Sequence, residues 1–289
     1  MRSLTEFTRA IAAIALMALS PALALAQNAT PAEVDLNLVL AVDVSWSMDP
    51  EEQRLQRDGY VGAFRDPQVI KAIQSGPQQR IAVTYFEWAG PDIHFIVVPW
   101  MIVDGQGAAH KLAEDLSKRE ISRHRMTSIS SALQFADRQL AASPFRAPRR
   151  VIDVSGDGPN NSGMAPVTLV RDELLANGVI INGLPITLKT GQTSGFGWGQ
   201  DIGDLDAYYS NCVIGGPGSF MIPIKKLDEF ATATRQKLLL EISDLGQPML
   251  HRVQDGSPRP VPNGSTNSGY DCLVGERNWR RRFRDWDRF

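Results

Sequence analysis

The chain has 289 residues, of which 43% are hydrophobic and 21% charged, with a formal net charge of −2. That composition is ample for one large core, so one α/β domain with additions is the starting expectation. The mild acidity provides no global positive field, and nucleic acid is not expected as a partner.

Residues 1–26 read as an export signal. Arg2 and Arg9 mark a charged start, Ala10 to Leu19 an apolar centre too short to span a bilayer comfortably, and Ala24-Leu25-Ala26 a small-x-small cleavage site. Cleavage near Ala26 would leave the mature protein in a bacterial periplasm or secreted; the alternative is an anchor that is never cleaved. Leu36 to Val42 is then a near-continuous apolar run, the pattern of a strand buried on both faces of a parallel sheet. Asp43, Ser45 and Ser47 follow at every second position, so an extended chain aims all three the same way. Three oxygen donors on one side of a strand end are a start towards a hard-cation site. Asp49-Pro50-Glu51-Glu52 opens a helix, with Asp49 as N-cap, Pro50 at the first helical position and Glu52 completing a capping box.

Residues 51–75 read helical, with a second start at Asp66-Pro67. Ile81 to Trp88 and Ile93 to Trp100 are strands about the turn Ala89 to Asp92, a hairpin whose second strand is antiparallel. Gly105 to Ser117 is an amphipathic helix, and the basic loop Arg119 to Arg125 leads into Thr127 and a helix from Ile129 to Leu140. Arg150 to Ser155 is a strand that runs into Gly156, Asp157 and Gly158; Ala165 to Ala176 is a helix and Gly178 to Pro185 a strand. A Gly-rich loop with Trp198 spans residues 190–204, Asp206 to Cys212 is a short helix, Gly215 to Gly218 a turn, Phe220 to Ile224 a strand and Lys226 to Leu240 a helix. Six strands alternating with helices predict a doubly wound, mostly parallel sheet with one antiparallel edge strand and helices on both faces.

Residues 246–269 are rich in Pro, Gly, Ser and Asn and read as a linker. The end of the chain places Trp279, Phe283 and Trp286 on one helical face among arginines, either docked on the domain or, through 276–289, in contact with anionic lipid or a partner. Cys212 and Cys272 are the only cysteines, and in an oxidising compartment they can close a disulfide that staples the tail to the body; the alternative is two unpaired thiols. Asp153, inside a strand, is expected to pair with a nearby arginine.

The chemistry concentrates at strand ends, since doubly wound sheets bind ligands beyond the carboxyl ends of their strands where the strand order reverses. Thr127, before a helix, and Asp157, after a buried strand, are placed to join Asp43, Ser45 and Ser47 there. This set resembles the von Willebrand factor type A domain with its metal-ion-dependent adhesion site, and the element order resembles that family over roughly residues 33–245. The export signal, Asp153 to Asn161 and Asn211 to Gly218 look similar to a bacterial branch of uncharacterised function. Three segments follow: residues 1–26 as signal peptide, 27–245 as the type A-like domain, and 246–289 as linker and arginine/aromatic tail.

The resemblance implies a divalent cation, Mg²⁺ first, with Mn²⁺ or Ca²⁺ as alternatives. Ser45, Ser47 and Thr127 would coordinate directly, and Asp43 and Asp157 largely through water or as hydrogen-bond acceptors. Neutral hydroxyl ligands leave the charge of the ion incompletely compensated, so an Asp or Glu of a protein partner would complete its shell. This is binding without catalysis. The chain departs from the family at Arg125, two residues before Thr127, where a glycine is common. Thr127 could also serve only as an N-cap. The competing readings are a Mg²⁺-dependent phosphatase with Asp43 as nucleophile, though Ser45 stands where a second carboxylate is usual, and an envelope scaffold attached through its tail. No Gly-x-Ser-x-Gly elbow supports a serine hydrolase.

Overall fold

The computed structural model describes residues 31–188, 202–243, 259–260 and 269–286. The expected export segment, residues 1–26, lies outside these, as does the part of the Gly-rich loop that carries Trp198. In chain order the elements are β1 (Ala32–Glu33), β2 (Leu36–Asp43), α1 (Pro50–Arg65), α2 (Pro67–Ile73), β3 (Ile81–Trp88), β4 (His94–Val103), α3 (Gln106–Ser117) and α4 (Ile129–Ala141). There follow β5 (Phe145–Arg146), β6 (Arg149–Gly156), α5 (Val167–Ala176), β7 (Ile180–Pro185), and α6 (Leu205–Tyr208), which continues as a π-helical turn to Val213. The chain ends with β8 (Phe220–Met221), a 3₁₀ turn leading into α7 (Phe230–Ile242), β9 (Arg259–Pro260) and α8 (Val274–Trp286).

The main sheet has the order β4-β3-β2-β6-β7-β8-β9. Its interior pairs are parallel, and β4 runs antiparallel to β3 as the hairpin pattern predicts. The six expected strands are all present. The seventh was not expected: Arg259–Pro260, inside the stretch that reads as a linker, pairs antiparallel with β8. A two-residue edge strand carries too little pattern to be recognised locally, and the neighbouring strand alone decides its pairing. β8 is also shorter than expected, although Ile224 still bridges Ile186 in parallel fashion.

β2 is buried along its whole length because it is covered on both faces. Val39 and Ala41 pack with Ile129, Leu133 and Leu140 of α4 and with Val170 and Leu174 of α5. Leu36, Leu38, Leu40 and Val42 pack with Tyr60 and Phe64 of α1, Leu112 and Leu116 of α3 and Leu238 of α7. Each fully buried Leu or Phe contributes about 1.5–3 kcal/mol, so the strand that ends at Asp43 is firmly placed. The cysteines are joined as a Cys212–Cys272 disulfide, which ties the start of the C-terminal segment to the turn after α6. Asp153 pairs with Lys237 of α7 at 2.8 Å, where an arginine was expected. A lysine in a helical stripe carries no local mark of the strand it will face. Among the described residues no helix is long and apolar enough to cross a membrane.

Candidate metal centre

Asp43 closes β2, and Asp157 follows the last residue of β6, the strand paired with β2 in parallel. These strand ends flank the point where the order of the sheet reverses, since β3 lies on one side of β2 and β6 on the other. The Asp43 side chain is fully buried and its Oδ1 accepts the Ser45 N–H at 2.7 Å, which turns the chain out of the strand. That turn places the Ser45 and Ser47 hydroxyls 2.7 Å apart, and Ser47 Oγ donates to Asp157 Oδ1 at 2.5 Å. Asp43, Ser45, Ser47 and Asp157 thus form one hydrogen-bonded series across two loops. Gly156 permits the approach: a Cβ there would lie 2.8 Å from Asp43 Oδ2 and 2.9 Å from the Tyr209 hydroxyl.

Helix α1 holds this loop from behind. Asp49 caps it through the N–H groups of Glu51 and Glu52, both at 2.9 Å, and Glu52 Oε2 accepts the Asp49 N–H at 2.8 Å. Buried Gln56 donates to the Asp43 carbonyl at 3.0 Å and buried Gln53 to the Ser45 carbonyl at 3.4 Å. Neither glutamine was singled out from the sequence. The signal was there, since both stand in helical register with Tyr60 and Phe64, where an apolar stripe would have continued.

Thr127 enters from a third loop. Residues 44–46 and 124 form a short parallel bridge, with Trp46 N–H to the His124 carbonyl at 2.8 Å and His124 N–H to the Val44 carbonyl at 3.0 Å. The basic loop is anchored below by Arg57, which pairs with buried Glu87 at 2.5 Å and also donates to the Arg119 carbonyl. Met126 has φ 69°, a left-handed conformation that costs a bulky residue about 1–2 kcal/mol. Thr127 itself is clamped by the Asp157 loop. Its N–H donates to Asn161 Oδ1 at 2.9 Å, and its carbonyl accepts from Asn161 N–H at 2.9 Å and Ser162 Oγ at 3.2 Å. The N-cap of α4 is Ser128, whose Oγ accepts the Ser131 N–H at 3.4 Å, so Thr127 does not have that role. Among the described residues its hydroxyl is hydrogen-bonded to neither serine and to neither aspartate. Asn161 and Ser162 also went unremarked as positioning residues; the run of Asn and Ser after Asp157 was the available sign, as such side chains fold loops onto their own backbone.

Burial pushes the Asp43 pKa up to about 7, while the Ser45 amide and hydroxyl and the Asp157 amide oppose the shift only in part. Oδ2 of Asp43 is buried without a hydrogen-bond partner. A buried carboxylate that no cation among the described residues offsets, beside hydroxyls and a second carboxylate, suits a hard cation that takes oxygen ligands. Among the described residues no three His, Cys, Asp or Glu side chains gather as metal ligands.

A rim surrounds these donors. Trp46, between the two serines, is 39% exposed; the Arg125 guanidinium lies 4.8 Å from its ring centroid and Arg123 donates to its carbonyl at 2.7 Å.

A family profile described as "Protein of unknown function (DUF1194)" matches residues 33–246. No curated protein sequence matches the chain. Similar solved structures include proximal thread matrix protein 1 from the mussel byssus, with 12% identity over 73% of this chain and 49% of that one and a TM-score of 0.51. The pilus adhesin SpaC from Lactobacillus rhamnosus GG has 11% identity over 72% of this chain and 31% of that one, with a TM-score of 0.52. The von Willebrand factor type A protein from Catenulispora acidiphila has 13% identity over 73% and 43%, with a TM-score of 0.47. This chain therefore spans about half the length of the first of these proteins or less. At such identities the likeness to the mussel protein and the pilus adhesin is one of fold alone.

Proposed function

The chain belongs to the DUF1194 family over residues 33–246, and from its type A-like fold and the site at the sheet edge we propose that it is an exported, metal-dependent protein-binding module of the adhesion type. Ser45, Ser47 and Thr127 are the direct ligands, and Asp43 and Asp157 hold them and offset the charge. The cation, Mg²⁺ or in its place Mn²⁺ or Ca²⁺, supplies when bound an open position for an oxygen ligand from outside. The protein's own residues do the rest. The Asp43 turn aims the serines, Asp157 fixes Ser47, and the Asn161 clamp sets the height of Thr127. Arg123 and Arg125 make the rim basic, which favours a partner that presents Asp or Glu.

The observation that carries this reading is the hydrogen-bonded series Ser45–Ser47–Asp157 beside a buried Asp43 whose Oδ2 has no partner. The phosphatase alternative asks Asp43 to attack substrate, yet its side chain is 0% exposed and one oxygen is occupied by the Ser45 amide. Retention of envelope proteins on the immobilised chain, with Mg²⁺ or with EDTA, tests the proposal. Wild type should retain an acidic partner only with the metal, and Ser45→Ala should lose it in both conditions. A partner held equally in all four arms would remove the metal from the function.

A further inference from the structure

The start of the C-terminal segment rests against the loop that carries Asp157. Asn160, three residues past that aspartate and 1% exposed, is held from several directions. Its N–H donates to the Tyr208 hydroxyl at 3.1 Å and its Oδ1 accepts the Ser130 N–H of α4 at 2.9 Å. Its Nδ2 donates to Glu276 Oε1 of α8 at 2.7 Å. The Asn160 carbonyl lies so close to Gly275 that a Cβ there would come within 2.1 Å of its oxygen. The next residue, Asn161, is the clamp on Thr127. The Cys212–Cys272 disulfide fixes the chain three residues before Gly275, beside the Tyr208 turn that also meets Asn160.

We infer that the segment 269–281 is a brace for the metal-binding loops, in which Glu276 acts through Asn160 as a positioning residue for Thr127. This rests on the metal-binding reading of the site, but the brace itself is a property of the metal-free chain. The logic is one of accounting for polar groups. Removing Glu276 strands a buried Asn160 amide, which must turn to find a partner, and its neighbour Asn161 then loses its hold on the Thr127 N–H. Gly275 is required because only a residue without a side chain lets α8 approach the loop backbone.

The test is hydrogen exchange of the full metal-free chain, followed by Mn²⁺ titration. In Glu276→Ala the Thr127 and Ser130 amides should exchange about tenfold faster while the β2 amides stay as in wild type. Mn²⁺ affinity should fall several-fold, and Glu276→Gln, which keeps an oxygen for Asn160, should restore both. Wild-type exchange at Thr127 in Glu276→Ala would overturn the brace, and so would equal acceleration of every amide, which marks a plain loss of stability. Failure of the wild type to bind Mn²⁺ would instead sink the metal-binding reading, while the exchange result would still judge the brace.

Discussion

Two fully buried aspartates stand on adjacent strands of the same sheet, and they are solved in opposite ways. Asp153, within β6, faces Lys237 at 2.8 Å and receives the Tyr60 hydroxyl at 3.2 Å. Glu241 joins the same lysine, and its Oε1 also accepts the Asn182 amide at 3.1 Å. Burial pulls the Lys237 pKa down, but the two carboxylates more than offset it, so the lysine stays charged. Among the described residues Asp43, at the end of β2, has burial without a cation, an Oδ2 without a partner, and hydroxyls for neighbours. Burial alone therefore does not mark function. The Asp153 cluster has its cation within the chain, although Glu241 Oε2 is left without a hydrogen-bond partner, whereas Asp43 faces only hydroxyls and amides among the described residues.

The largest effect that would sharpen this contrast is expected at the closed cluster. Lys237→Met leaves two buried carboxylates without their counter-ion and should cost about 3–5 kcal/mol in denaturant unfolding. A loss near zero would mean that the cluster is already neutralised by protons and would break the distinction. At the open site, Asp43→Asn should weaken Mn²⁺ binding about 10–100-fold while leaving metal-free stability comparatively unaffected. If metal-free stability instead collapsed as in Lys237→Met, Asp43 would be as structural as Asp153.

A smaller effect concerns pH. One lysine cannot neutralise both Asp153 and Glu241, and burial, with the Asp153 charge beside it, pushes Glu241 from its usual 4.5 up to about 7. The folded chain then binds this proton more tightly than the unfolded chain. Stability from this group is complete below about pH 4.5 and is lost as pH rises through about 7. Relative to Glu241→Gln, metal-free wild type should therefore lose stability across that interval in urea unfolding. A difference that is flat with pH would show that Glu241 is ionised throughout.

Much of this molecule was legible locally. The apolar run of β2, the Asp49–Glu52 capping box, the hairpin that puts β4 at the edge and the Asp-x-Ser-x-Ser turn are all patterns within a dozen residues. Periodicity and caps write themselves into sequence at that range. The alternation of elements then limits the sheet to few topologies, which brings the ends of β2 and β6 side by side. What stayed hidden were choices of partner. Lys237 rather than an arginine meets Asp153, Gln53 and Gln56 hold the carbonyls of Ser45 and Asp43, and Asn161 grips Thr127.

The sequence by itself determined the order of the main elements, the one pair of cysteines available to bond and the oxygen donors available at the strand ends. Only the tertiary structure decided which donors touch, that Arg259–Pro260 closes the far edge of the sheet, and that α8 leans on the loop beside Asp157. The reason is range. Backbone periodicity and caps are set by neighbours a few residues away, whereas a hydrogen bond between side chains far apart in sequence depends on how whole helices pack, and no local pattern records it.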